Sequence, residues 1–141
     1  MDNIQNPSIH SLLSSKYHEA QMHRLNIHAE IPDPVIHNYL TDLDLAVVLG
    51  HLMDNAIDGA RKASEGFISL AYFDEEDCQS FIIESTIADE QVPLSMMSTQ
   101  LSHPEGGIGV NAVQDILERY PNTSFSVRSQ NHKMMQILEM S

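Results

Sequence analysis

The stretch Leu43 to Ala63, LDLAVVLGHLMDNAIDGARKA, decides how the rest of the chain is arranged. At about 100° per residue it forms a helix with two different faces. One face is apolar and predicts contact with a core, and it consists of Leu45, Val48, Leu49, Leu52 and Ala56. The other face stacks polar side chains turn by turn, namely His51, Asn55, Asp58 and Lys62. Because a base and a carboxamide stand one turn apart in an otherwise apolar helix, we interpret this polar face as a functional site.

The composition narrows the class of protein. A chain of 141 residues suits one domain with a real core. The formal net charge is -13 with only seven Lys and Arg residues, so we expect no basic footprint for nucleic acid or anionic lipid. No apolar run approaches the ~20 residues of a membrane-spanning helix, and the polar first residues do not resemble a signal peptide. The single cysteine, Cys78, excludes an internal disulfide and fits a reducing compartment.

Hydrophobic periodicity and turn residues predict the order helix, strand, helix, strand, strand, loop, helix, strand, strand. The predicted helices cover 9–24, 43–63 and the segment that opens at Gly106, and the predicted strands cover 25–31, 67–74, 79–86, 124–128 and 133–140. Hairpins outnumber crossovers, so we expect an α+β fold, a two-layer α/β sandwich with a mixed, mostly antiparallel sheet and helices on one face. The aperiodic segment from Ile87 to Gly106 is either functional or a disordered insertion, and its position before a glycine cluster favours a lid that closes over a nucleotide.

A glycine cluster, Gly106-Gly107-Ile108-Gly109, opens the last predicted helix. Glycines at a helix start leave backbone N–H groups free to face an anion and let a phosphate approach closely. The cluster is neither a Walker A loop nor a Rossmann fingerprint. Asn55 offers a carbonyl oxygen suited to Mg²⁺, and His51 could orient or deprotonate a group beside phosphates. Together these residues predict a site for a metal ion and a phosphorylated ligand.

Four segments of the sequence resemble a known family. The pattern HLMDNAIDGARKA at 51–63 resembles the N box of the GHKL ATPases, the family of gyrase, the heat-shock chaperone, histidine kinases and the mismatch-repair ATPase. The segments DLAVVLG at 44–50, IIEST at 82–86 and GGIGVNAVQDILERY at 106–120 are similar to the sensor histidine kinases that read secreted peptides in Gram-positive bacteria. The resemblance runs from about Leu12 to the C-terminus and implies a Bergerat-type fold.

The resemblance implies roles for residues that match the family's motifs. Asn55 falls on the Mg²⁺-binding asparagine. His51 falls on the position that holds glutamate in the hydrolysing members and often asparagine in histidine kinases, where it would be a polar neighbour of the γ-phosphate. Gly107 and Gly109 fall on the second glycine box, which flanks the lid and touches phosphate.

The residue that would contact adenine differs from the one that most family members have. Most members have aspartate, or asparagine in the peptide-sensing branch, where this chain has Ser85. Asp58 and Lys62 fall where the family's helix borders the nucleotide, and Arg61 or Lys62 would help to offset repulsion between ATP and an acidic domain. The resemblance therefore implies that ATP and Mg²⁺ are the cofactors, with Ser85 at the adenine.

The resemblance implies the ATP-binding catalytic domain of a two-component sensor histidine kinase. Such a domain passes the γ-phosphoryl of Mg-ATP to a histidine on a dimerisation domain, with a response regulator downstream, on the cytoplasmic side of a membrane-bound sensor. Residues 25–141 would be the catalytic domain and 1–24 a linker helix from the dimerisation domain. Two alternatives stay open: a non-catalytic interaction module of the same fold, which Ser85 favours, and a GHKL ATPase that hydrolyses ATP with His51 as its base.

Overall fold

The computed structural model describes residues 1–36, 38–88 and 107–141. Within these residues three helices and five strands follow the predicted order. The helices are α1 Pro7–Met22, α2 Asp42–Lys62 and α3 Gly107–Leu117; the strands are β1 Asn26–Glu30, β2 Phe67–Asp74, β3 Gln79–Thr86, β4 Thr123–Gln130 and β5 Lys133–Met140. Among the described helices none has the length and apolar character needed to cross a membrane. The part of the predicted lid from 89 to 106 lies outside the described residues.

The central helix α2 begins where the sequence supplies a cap. The side chain of Thr41 accepts a hydrogen bond from the backbone N–H of Asp44. Acidic residues in the first turn and Arg61 and Lys62 in the last turn complement the helix dipole. The predicted core face is confirmed, since each of its members is at most 3% exposed: Leu45, Val48, Leu49, Leu52 and Ala56. Packing of this face, more than propensity, holds the helix in place.

The first helix, α1, packs into the same core. The side chain of Asn6 caps it, and the helix begins at Pro7, two residues before the predicted start, because proline suits the first helical position. Its apolar residues belong to the cluster that contains the core face of α2, and the buried ones are Ile9, Leu13 and Ala20. At the surface, Nζ of Lys16 lies 2.6 Å from Oδ1 of Asp54 on α2. Helix α1 thus packs against α2 and contributes to the core of the described structure.

The five strands form one mixed sheet in the order β1-β2-β3-β5-β4. β1 and β2 are parallel and the other pairs are antiparallel, which confirms the mixed, mostly antiparallel sheet. Alternate residues of β3 and β5 are buried on the side that the helices cover. In register, Ile83 lies opposite Gln136, and Ser85 lies opposite Met134. The sheet therefore presents Ser85 and Gln136 on the same face, towards α2.

The β4–β5 hairpin differs from its prediction. The sequence predicts a turn at Ser129-Gln130-Asn131, whereas β4 continues to Gln130 and the turn is made by Asn131 and His132. Both turn residues have positive φ, 54° and 61°, as a two-residue hairpin turn that matches strand twist requires. Asparagine adopts this conformation readily, but histidine is not a typical signal for it, so the sequence does not predict the second turn residue.

Candidate functional site

Asn55 lies half-buried on the polar face of α2, and its carboxamide has a defined orientation. Its Nδ2 donates a hydrogen bond to Oε1 of Gln136 on β5, at 3.3 Å. Gln136 is 1% exposed, and its own Nε2 donates to the backbone carbonyl of Leu52, at 3.0 Å. Since the NH₂ group is engaged, Oδ1 of Asn55 is the atom left to accept, and no described residue donates to it. An amide oxygen held this way is a ligand suited to a hard cation such as Mg²⁺.

His51 lies one turn before Asn55 and is also half-buried. Its ring makes no hydrogen bond or ion pair with a residue in the described ranges. A histidine that acts as a general base is ordinarily oriented by a partner on its other ring nitrogen. Across 1–36, 38–88 and 107–141 no group of three or more His, Cys, Asp and Glu could hold a metal ion. A cation at Asn55 would thus depend on ligand oxygens, as Mg²⁺ does when it shares its shell with phosphates.

Asp58 and Lys62 are paired with each other at the exposed end of the polar face. Oδ2 of Asp58 and Nζ of Lys62 are 3.1 Å apart, and the side chains are 62% and 69% exposed. Such a surface pair stabilises the fold little, which leaves both charges available to a ligand. Lys62 also lines a cavity of about 730 Å³ with Thr86, His132 and Lys133. Two lysines, Lys62 and Lys133, thus lie beside Glu65 at one place on the surface.

Ser85 is buried at the other wall, at the end of β3. It is 1% exposed, and its Oγ has no hydrogen-bond partner among the described residues. Gly59 of α2 lies over it: a Cβ at Gly59 would come 3.9 Å from this Oγ, 3.4 Å from the carbonyl oxygen of Thr86 and 3.0 Å from Cγ2 of Ile87. A buried hydroxyl without a partner costs about 1–3 kcal/mol. The hydroxyl is therefore a polar group whose hydrogen-bonding capacity a ligand at this position could satisfy.

The glycines of the last motif stand at the start of a helix, as predicted. Helix α3 begins at Gly107 and includes Gly109, and it packs against α2. Its buried residues Val113 and Ile116 join the common core. The glycine motif and the polar residues of α2 are therefore carried by two helices that contact each other.

Hydrogen bonds and an ion pair join the N-terminal end of α2 to the residues that follow α3. The hydroxyl of Tyr120 donates to Oδ2 of Asp44 at 2.5 Å and accepts from the backbone N–H of Thr41 at 3.3 Å. Nη2 of Arg119 lies 3.0 Å from Oδ1 of Asp44. The hydrogen bond from Tyr120, together with the Arg119 charge, lowers the pKa of the Asp44 carboxyl. These contacts fix the direction of α3 beside the helix that carries Asn55.

Two residues of the site, Gln136 and Gly59, were not singled out from the sequence. Gln136 stands in the inward phase of β5, between Met134 and Leu138, and a polar residue in a buried phase is a usable signal. Gly59 is a glycine in a helix interior, which weakens a helix and points to close packing. The structure brings Asn55 to Gln136 and Gly59 to Ser85.

Comparison with protein families identifies the family of this chain. A family model for the GHKL domain matches residues 40–141, and the chain therefore belongs to the GHKL family. The matched range contains α2, α3 and all strands but β1. It therefore contains every predicted site residue. No sequence among the curated proteins matches the chain.

Solved structures of histidine kinases have the same fold. The catalytic domain of histidine kinase ThkA superposes with a TM-score of 0.75 at 13% identity, over 94% of this chain and 88% of that one. The mycobacterial sensor histidine kinase MprB gives 0.66 at 13% identity, over 92% and 91%. The cytoplasmic segment of histidine kinase QseC gives 0.64 at 15% identity, over 95% and 72%. At such low identity the likeness establishes the α+β fold with a five-stranded mixed sheet.

Proposed function

We propose that this domain binds Mg-ATP and is the catalytic domain of a sensor histidine kinase. It would transfer the γ-phosphoryl group to a histidine on a dimerisation domain, with a response regulator as the later acceptor. The observation that carries the proposal is the oriented carboxamide of Asn55, whose Nδ2 is engaged by Gln136 while Oδ1 remains an acceptor. Membership of the GHKL family and the kinase-like fold support it.

The residues of the site fit the two ends of a magnesium nucleotide. A bound Mg²⁺ would supply positive charge that offsets the negative charge of the phosphates in phosphoryl transfer. Asn55 would hold it with Oδ1, and the Gly107 and Gly109 backbone would face the phosphates. At the other end, the unpartnered Oγ of Ser85 would accept from the adenine amino group.

The chemistry of phosphoryl transfer suits a site with few reactive side chains, because positioning and charge neutralisation supply most of the catalysis. Asp58 and Lys62 would line the exposed border of the nucleotide, with the Lys62 charge offsetting the acidic character of the domain. His51 would be a polar neighbour of the γ-phosphate. Since no described residue orients its ring, we favour transfer to a protein histidine over hydrolysis by water.

The remaining parts of the proposal concern the intact sensor. Residues 1–24 would connect the catalytic domain to a dimerisation domain, with α1 packed against the core through Ile9, Leu13 and Ala20. The domain would work on the cytoplasmic side of a membrane-bound receptor for a secreted peptide.

Calorimetric titration with ATP and Mg²⁺ tests the proposal. We expect saturable heat from the wild-type chain, and a large loss of affinity in Asn55→Ala when Mg²⁺ is present. Asn26→Ala is the matched control, because Asn26 is exposed at the start of the edge strand β1 and should bind as the wild type does. Absence of heat at millimolar nucleotide would refute ATP binding and favour an interaction module. Rapid phosphate release that is abolished in His51→Ala would favour a hydrolysing ATPase instead.

A further inference from the structure

Gln136 is a buried polar residue whose presence needs an explanation. It is 1% exposed in the middle of β5, in a row where its neighbour on β3 is the apolar Ile83. Burial of a carboxamide is unfavourable unless its donors and acceptors are bonded. An apolar side chain at this position would pack against the same core without that requirement.

The hydrogen bonds of Gln136 have a defined direction. Its Nε2 donates to the backbone carbonyl of Leu52, at 3.0 Å, and a backbone carbonyl can only accept. The NH₂ group of Gln136 must therefore point to the helix backbone, which turns Oε1 towards Asn55. Oε1 can only accept as well, so Asn55 presents its NH₂ group to it, at 3.3 Å. The backbone carbonyl of Leu52 thus sets the orientation of the Gln136 amide, which in turn sets the orientation of the Asn55 amide.

We propose that Gln136 is a positioning residue, which selects the orientation of the Asn55 carboxamide that can bind a cation. Mg²⁺ binds oxygen and not an amide NH₂ group. If the Asn55 amide rotated by half a turn, Oδ1 would face Oε1 of Gln136, two acceptors without a proton between them. This inference rests on the proposed function, because it concerns how Asn55 holds the metal of Mg-ATP.

The test separates orientation of Asn55 from a general structural role. ATP affinity is measured by calorimetry with Mg²⁺ and again with EDTA, and the ratio gives the gain from the metal. We expect Gln136→Met, which keeps the length of the side chain and removes its hydrogen bonds, to reduce this gain about two- to tenfold, the worth of one hydrogen bond. Affinity in EDTA should stay as in the wild type. In an Asn55→Ala background, Gln136→Met should cause no further loss.

Gln79→Met is the matched control. Gln79 is also a glutamine on the helix-facing side, 1% exposed, but it lies four residues along β3 from the row of Gln136, about 13 Å away. It bonds to Tyr72 and Asp74. This variant should leave the metal-dependent gain unchanged, even if it lowers the melting temperature.

Three results would overturn the inference or its basis. If Mg²⁺ raises the ATP affinity of Gln136→Met as much as that of the wild type, but does not raise that of Asn55→Ala, the role of Gln136 is refuted and the proposed function stays intact. If Gln136→Met loses the same factor of ATP affinity with Mg²⁺ and with EDTA, Gln136 has a structural role only. No gain in the wild type refutes the metal role of Asn55 itself.

A measurement on the wild-type chain covers the case in which Gln136→Met does not fold. Nuclear Overhauser contacts between the Asn55 side-chain NH₂ protons and the Gln136 side chain are expected, with slowed solvent exchange of one of the two protons. If these contacts are absent from the folded protein, the inference is wrong.

Discussion

The substitution Ser85→Ala should change stability and ligand affinity in opposite directions. Oγ of Ser85 is buried and has no partner among the described residues. Removing it relieves an unmet hydrogen-bonding requirement of about 1–3 kcal/mol, against a smaller loss of packing around one atom. We expect a net stabilisation of the ligand-free domain by about 0.5–2 kcal/mol.

This free energy converts into a measurable shift. A domain of 141 residues has an unfolding entropy of about 0.3 kcal/mol/K. The melting temperature of Ser85→Ala without nucleotide should therefore rise by about 2–7 °C, read by calorimetry or circular dichroism. The affinity for Mg-ATP should fall about two- to tenfold, because a hydrogen bond to the base is lost.

The matched control is Ser80→Ala on the same strand. Ser80 lies on the opposite face of β3 and is half-buried, so the same chemical change should leave the affinity for Mg-ATP unaltered. A fall in melting temperature of more than about 3 °C in Ser85→Ala would mean that the hydroxyl is bonded in the folded protein, which refutes the reasoning on stability. Unchanged affinity would show that Ser85 does not contact the base.

Two further predictions concern the framework of the site. Because the pKa of Asp44 is lowered in the folded state, its stabilising effect is present above the unfolded pKa of about 3.9 and is lost as the pH falls through the folded value. The melting temperature of Asp44→Asn should therefore lie below that of the wild type at neutral pH, and the gap should close in acid; a gap that is constant with pH would contradict this. Gly59→Leu should lower both the melting temperature and the affinity for Mg-ATP, because even a Cβ would stand 3.0 Å from Ile87. Gly50→Ala is its control, since that Cβ meets Leu12 at an ordinary 3.7 Å and should be neutral or stabilising by up to about 1 kcal/mol; equal effects of the two variants would rule out crowding at Gly59.

Local patterns were sufficient to predict most of the fold. The apolar face of α2 is buried where its period places it, and the strands β2, β3 and β5 match their predicted bounds. These elements follow from periodicity, caps and turn residues within a few positions of the chain.

Contacts between distant residues could not be predicted in the same way. The hydrogen bond between Asn55 and Gln136 joins residues 81 positions apart, and the position of Gly59 over Ser85 depends on how α2 crosses the sheet. Periodicity places a side chain on a face but does not name its neighbour across the interface. The polar face of α2 was therefore identified from the sequence, whereas the residue that orients its central asparagine was not.

The two faces of α2 also separate most of the proposed ligand contacts from the residues that pack the core. Residues that pack the core and residues of the proposed site alternate along one helix, so an exchange at 51, 58 or 62 opens no void in the interior. Mutations at these three positions should thus alter ligand binding while the domain remains folded. Loss of the Asn55 amide, in contrast, leaves Oε1 of the buried Gln136 without its donor. A helix divided in this way can change the ligand that it contacts one residue at a time, without passing through an unfolded intermediate.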